Sequence, residues 1–457
     1  MERFDLCAEE QGADKDGGKG RSCDQMKRVL WICNIMLPAV ARELQLPYSN
    51  REGWLSGIFD RVREKDAPFE LGVCFPTEPG GLPESGENGF WIIQNVKCYA
   101  FAEDIAHPEH YDERMEKRFA EIFRDFQPDM IHIFGTEFPH SLAAVKAFGK
   151  PDKILAGIQG LCGEIAKVYM AGLPEKVQRS VTLRDFLKKD SIRRQQEKFV
   201  LRGQNEAETI KRCGNITGRT RFDREGTAAI NPKAKYYAMN ETMREPFYTG
   251  KWDKDRCEKH SIFLGQGDYP LKGMHFVLQA MAELLADYPD VKLYVAGNSV
   301  IERKTLKQRL KLPTYGKYLC KLIGQYGLED KVIMTGKLSA EEMKEQFLKS
   351  SVFVCASVLE NSPNTVGEAM LLGVPVAASD AGGIPDMVTD GRDGLLFPAG
   401  DAKALAEAVS RLWDEEKDPE GNTLAQRLSA QAAKRARIAH DGECNYLRLL
   451  EIYGEIW

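Results

Sequence analysis

The sequence predicts an α/β protein built from two Rossmann-like domains, each a doubly wound parallel sheet. Three observations lead there. The chain has 457 residues, too many for one ordinary core and suited to two domains of roughly 200 residues. Short apolar runs rich in branched residues alternate with helical patterns, which builds parallel sheets through crossover helices. The alternating series occurs twice, with a polar stretch between.

Taken in order, residues 1–25 are rich in Gly, Asp, Glu and Lys with almost no apolar periodicity and read as a flexible tail. The first series of strands falls at 29–35, 71–75, 130–134, 154–158 and 236–239, assigning 26–247 to an N-terminal domain. The join lies near 245–258. The second series, at 262–264, 292–296, 332–335, 352–356 and 375–378, assigns 248–435 to a C-terminal domain. In the last segment, 436–457, Tyr446, Leu449, Leu450, Tyr453 and Ile456 share one helical stripe. Periodicity does not choose between a last helix of the second domain and one crossing back to the first.

Composition narrows the function classes. A net charge of -5 with 29% charged residues lacks the basic footprint of a nucleic-acid binder. The eleven cysteines show no metal-ligand spacing, and Cys33, Cys74 and Cys355 fall inside apolar strands, as small core residues in a reducing compartment do. No apolar run approaches the roughly 18 residues that span a bilayer, and no signal-peptide core opens the chain, so a cytoplasmic protein is expected. Residues 183–203 carry seven basic side chains (Arg184, Lys188, Lys189, Arg193, Arg194, Lys198, Arg202) against three acidic ones (Asp185, Asp190, Glu197). The preferred reading is a solvated helix face packed by one apolar stripe. The alternative is peripheral contact with anionic lipid at the cytoplasmic face of a membrane, or with a lipid diphosphate acceptor.

The chemistry concentrates in Glu360-Asn361-Ser362-Pro363-Asn364-Thr365-Val366-Gly367-Glu368-Ala369-Met370. The apolar run at 352–356 reads as a buried parallel strand, and Asn364 onward as a helix ending at Gly373. Glu360 then sits at a strand's carboxyl end, where open α/β sheets bind ligands. Asn364 or Ser362 can cap the helix, whose first-turn amides make an anion site suited to phosphate. Glu368 lies about one turn further along, roughly 6 Å, within reach of a hydroxylated group such as ribose.

This run resembles the signature of retaining nucleotide-sugar glycosyltransferases of family 4, proteins of the GT-B fold whose two Rossmann-like domains face a cleft. The likeness continues through Gly373-Val374-Pro375-Val376, Ala381-Gly382-Gly383-Ile384-Pro385, Asp390-Gly391 and Asp393-Gly394-Leu395-Leu396. It implies that Glu368 holds the donor's ribose hydroxyls and that Glu360 faces the transferred sugar and its phosphate. Donor contacts also fall on Asn361, Pro363, Asn364 and Thr365. Upstream, Leu264-Gly265-Gln266-Gly267-Asp268-Tyr269-Pro270-Leu271-Lys272-Gly273 matches the family's phosphate segment. Lys272 is thereby the ligand that neutralises the leaving diphosphate, beside Gly265 and Gln266. Gln266 stands where the family has Arg and brings no charge. The segment ending in Gly336-Lys337-Leu338 corresponds to backbone against the donor's base, leaving uridine and guanosine both open.

The N-terminal domain resembles the family less closely. Gly53 takes the place of its glycine-rich loop, next to the polar connection Tyr48-Ser49-Asn50-Arg51-Glu52. Gln159 replaces a His that contacts the transferred sugar, which excludes a titrating base there. Glu137 and His140 follow a strand end, where they reach toward acceptor or sugar or serve as caps and surface polar groups. The resemblance implies a metal-independent hexosyltransferase without cofactor, using a UDP- or GDP-linked sugar and a glycan or lipid-linked acceptor in surface polysaccharide assembly. Transfer would proceed by same-face attack, with the departing phosphate taking the acceptor proton. The rivals are a GT-B-like nucleotide-sugar epimerase or hydrolase, and a sugar-nucleotide-binding protein without transfer activity.

Overall fold

A computed structural model describes residues 26–46, 53–65, 67–80, 90–303 and 305–457. The tail expected at 1–25 and residues 47–52 of the polar connection lie outside them. The first sheet contains β1 (Lys27–Cys33), β2 (Phe69–Thr77), β3 (Trp91–Ile93), β4 (Val96–Ala102), β5 (Met130–Phe134), β6 (Ile154–Gly157), β7 (Asn215–Gly218) and β8 (Lys235–Ala238). Its order is β3-β4-β2-β1-β5-β6-β7-β8, parallel throughout except for the hairpin β3–β4. The second contains β9 (Glu258–Leu264), β10 (Lys292–Ala296), β11 (Val332–Gly336), β12 (Ser350–Cys355), β13 (Val376–Ser379) and β14 (Leu395–Phe397). It is wholly parallel, in the order β11-β10-β9-β12-β13-β14.

Burial explains why these runs are central strands. Val29 to Cys33 and Ser350 to Cys355 are covered on both faces, so they read as continuous apolar runs and not as alternating ones. Helix ends follow local chemistry. The helix Ala340–Lys349 starts from a capping box made by Ser339 and Glu342, and the helix Asn364–Leu372 stops at Gly373, whose φ of 73° suits glycine.

The helix Gly442–Ile456 packs on the first sheet. Leu449, Ile452, Tyr453 and Ile456 join the core of Val29, Trp31 and Phe69. Tyr453 Oη accepts from Trp31 Nε1 at 2.8 Å and pairs with His132 Nδ1 at 2.8 Å. The linker is no loose strand: Phe247 and Trp252 are buried in the second domain's core, and Trp252 Nε1 donates to the Ser350 carbonyl.

One expectation fails here. Residues 183–203 form two helices, Leu183–Lys188 and Ile192–Ile210, broken at Lys189 with φ 51°. Asp185 is pulled inward: its Oδ2 accepts from Thr314 N at 2.8 Å and Thr314 Oγ1 at 2.6 Å, capping a helix of the second domain. That anchorage turns the apolar positions outward. Leu183, Phe186 and Leu187 are 57%, 72% and 71% exposed, so that part of the expected stripe faces solvent, whereas Phe199 packs against Tyr169. Among the described residues no helix is long and apolar enough to cross a membrane.

Candidate active site

Counted from its own first strand, the second sheet runs 3-2-1-4-5-6 and reverses between β9 and β12, the switch point where such sheets bind ligands. Gly265 follows β9 and Glu360 follows β12. The loop carrying Lys272 lies so close to the end of β12 that a Cβ on Gly273, itself at φ 72°, would come 1.9 Å from the Ala356 carbonyl. Lys272 Nζ then donates to Glu360 Oε1 at 2.6 Å, and Ser357 Oγ donates to the same oxygen at 2.6 Å. Burial opposes the lysine's charge, but the facing carboxylate outweighs it and raises the Lys272 pKa.

Glu368 is 3% exposed and takes both Nε and Nη2 of Arg244 on Oε1, at 2.9 and 2.7 Å, while Oε2 has no partner. Burial raises the Glu368 pKa and Arg244 pulls against it. The helix between the two glutamates begins at Pro363 with no side-chain cap, which corrects the capping expected of Asn364 or Ser362. Asn364 Oδ1 instead accepts from Arg219 Nη1 at 2.9 Å, and Ser362 Oγ is buried without a partner. Its first turn therefore stays open to an anion. A Cβ at Gly265 would stand 3.3 Å from Thr365 Cγ2, so β9's end abuts that turn.

The end of β6 meets this cluster across the seam through Ile158, while Gln159 beside it pairs within its own domain. Asn361 Nδ2 donates to the Ile158 carbonyl at 3.3 Å, and Gln159 Nε2 donates to Glu241 Oε1 at 2.8 Å. The other expected residues make contacts of their own. Gln266 Nε2 is engaged by Asp268 Oδ1 at 2.9 Å. Leu338 follows β11 and packs beside the second domain's core. Gly53 opens the helix Gly53–Glu64.

The first sheet reverses between β1 and β5, and there Asn34 Nδ2 donates to Glu137 Oε1 at 3.1 Å. Glu206 lies close behind, accepting from Thr136 Oγ1 and the Cys162 amide. Burial, reinforced by the Glu137 carboxylate, pushes Glu206 up to about 8. His140 is wholly enclosed, with Nδ1 3.0 Å from both Glu103 oxygens. That corrects its expected reach toward acceptor or sugar, since its ring has no exposed surface to offer.

Sequence reasoning missed Arg219, Glu241, Arg244 and Asn34. Only Arg219 had a local signal: it precedes Thr220 and Asp223, which form a capping box at the helix Arg221–Ile230. The short strand before it, with one strongly apolar residue in Asn215-Ile216-Thr217-Gly218, hid that context.

Residues 246–435 match the family model described as glycosyl transferases group 1. The amylovoran biosynthesis glycosyltransferase AmsK of Erwinia amylovora is 34% identical over 25% of this chain and 29% of its own length. The alpha-D-kanosaminyltransferase of Streptomyces kanamyceticus is 29% identical over 40% and 43%. The chain thus spans less than half the length of these curated relatives. YtcC of Bacillus subtilis is 25% identical over 85% of this chain and 84% of its own. Among solved structures, sucrose-phosphate synthase from Thermosynechococcus elongatus superposes with a TM-score of 0.65 at 16% identity, covering 94% of this chain and 99% of that one. Anabaena HepE in complex with UDP-glucose gives 0.63 at 13%, covering 94% and 99%. These identities speak for the fold alone. Residues 246–435 thus match the glycosyl transferases group 1 domain, and the chain's two sheets have the GT-B arrangement.

Proposed function

We propose that this chain is a retaining glycosyltransferase that moves a hexosyl group from a UDP- or GDP-linked sugar to a hydroxyl acceptor in surface polysaccharide or glycan assembly. The observation that carries the reading is the convergence, at the switch point of the second sheet, of Lys272, Glu360, the uncapped first turn after Pro363 and the buried Glu368. Lys272 and the amides of Asn364 and Thr365 hold the diphosphate. Glu360 holds the sugar, assisted by Gln159, and Glu368 holds the ribose. The leaving group's charge is met by a fixed ammonium and a helix N-terminus, electrostatics in place before reaction. The departing phosphate takes the acceptor proton, so no titrating base is required and the reaction proceeds without a divalent ion. Names of relatives such as the amylovoran enzyme support the polysaccharide setting.

Acceptor binding falls to the first sheet's switch point, at Asn34 and Glu137. If the acceptor is lipid-linked, the exposed Leu183, Phe186 and Leu187 beside Lys188, Lys189 and Arg193 suit an anionic bilayer. Cosedimentation with anionic but not zwitterionic vesicles tests that surface.

A thermal-shift screen against UDP- and GDP-sugars, followed by product analysis with and without a chelator, tests the reading. Glycosylated acceptor formed in the chelator is the expected result. Altered free sugar nucleotide, or binding with neither product, overturns transfer.

A further inference from the structure

Arg219 is placed by the fold where a donor phosphate would lie, yet nothing in the reading above uses it. It follows β7 in the N-terminal domain and reaches over the seam. Its Nη1 donates to Asn364 Oδ1, its Nη2 donates to the Ser362 carbonyl, and its Nε has no partner although the side chain is only 8% exposed. Three more unpartnered polar atoms belong to its buried neighbours: Asn361 Oδ1, Ser362 Oγ and Glu241 Oε2. The last is 3.1 Å from Nη1, an ion contact without hydrogen-bond alignment.

This arrangement is electrostatically incomplete. The helix Asn364–Leu372 presents its positive end and no side-chain cap, and a guanidinium held against it is a second positive charge at the same spot. Glu241 offsets that charge from the side, itself held by Gln159. An anion with several oxygens, seated between guanidinium and helix, would satisfy Nε, Ser362 Oγ and the first-turn amides together. A single carboxylate in this position has too few oxygens to do so. A diphosphate fits.

We propose that Arg219 is a ligand of the donor's diphosphate, supplied by the N-terminal domain, and that it brings the charge that Gln266 lacks on the C-terminal side. The inference rests on the sugar-nucleotide reading above. Its consequence is that the diphosphate is held from both domains.

The test is calorimetric titration of wild type, Arg219→Gln and Arg219→Lys with UDP, GDP, uridine and guanosine, with the unfolding midpoint of each free protein measured alongside. For whichever diphosphate wild type binds, Arg219→Gln should weaken affinity by about 10- to 100-fold, the range expected for charged hydrogen bonds. Affinity for the matching nucleoside should change by less than about twofold, because the lost contact is to phosphate. Arg219→Lys, which keeps the charge and loses the fork, should fall between; it carries the comparison if Arg219→Gln does not fold. Equal losses for nucleoside and diphosphate, or none for either, overturn the proposal and leave Arg219 a tie between domains. If wild type binds neither diphosphate, the sugar-nucleotide reading falls first.

Discussion

Glu360→Gln should bind a free nucleoside diphosphate more tightly than wild type while turning over more slowly. In the free protein Lys272 Nζ is 2.6 Å from Glu360 Oε1, with 21% and 13% of the two side chains exposed. Coulomb's law at an effective dielectric of about 20 gives about 6 kcal/mol at that separation. Desolvation of both ions offsets most of it. The net contribution of a pair this accessible is about 1–2 kcal/mol. An incoming phosphate competes with the carboxylate for the same ammonium. Glutamine keeps the shape and can still accept from Ser357 Oγ, but it stops competing for charge. The released energy appears as about 5- to 30-fold tighter diphosphate binding. Turnover falls because the sugar loses its carboxylate partner. Titration calorimetry with UDP and GDP, paired with initial rates on the sugar nucleotide, reads both effects. Diphosphate affinity that is unchanged or weaker in Glu360→Gln refutes the competition and removes Lys272 as the phosphate ligand.

Three other perturbations test the rest. Glu368→Ala removes the carboxylate from a mostly buried Arg244, 18% exposed, and should lower unfolding free energy by about 2–4 kcal/mol together with donor affinity; full donor affinity in a folded variant would sink the ribose assignment. Asp185→Ala strips the cap from the helix Thr314–Tyr326 across the domain seam and should lower stability by about 1–2 kcal/mol, read by urea unfolding, with an unchanged midpoint counting against an interdomain latch. Burial holds His132 near about 3 and His275 and His440 near about 4, all below the ordinary 6.5. The unfolded chain therefore takes up protons first, and stability present above pH 6.5 is lost as pH falls toward 4, by about 1.4 kcal/mol per pH unit per histidine. Glu206 acts oppositely: raised to about 8, it keeps a proton that the unfolded chain has lost, so its share of stability declines from about pH 4.5 to 8. Urea midpoints of wild type and Glu206→Gln compared from pH 4.5 to 8 check this: Glu206→Gln should flatten the decline above pH 6.5, and identical profiles would count against it.

What the sequence disclosed follows from how local each signal is. β5 and β10 are readable because a strand buried on both faces is a continuous apolar run, and the helix end at Gly373 because a left-handed residue favours glycine. β7 escaped because Ile216 is its one strongly apolar residue, and β14 because three residues carry too little pattern. β4 escaped although it spans seven, because its apolar run merges with the hairpin of β3. The stripe on the last helix was legible, but its partner was not, because apolar periodicity names a face and not the surface it meets. Glu360, Lys272 and Glu368 stood out through the order of motifs. Arg219 and Arg244 did not, since an arginine's partner 124 or 145 residues away leaves no trace in spacing.

The missed residues change how the site works. Each acidic group assigned to the donor already faces a cation: Glu360 faces Lys272 and Glu368 faces Arg244, while Glu241 faces Arg219. Two of those cations belong to the polypeptide before Glu245, outside the segment that matches the family model. Buried carboxylates without such partners would protonate or repel a diphosphate. With them, the proposed donor would enter by exchanging one anion for another. On the proposed reading, donor selectivity depends on which ion pairs the diphosphate displaces, and the N-terminal domain then belongs to the donor site as well as to the acceptor's.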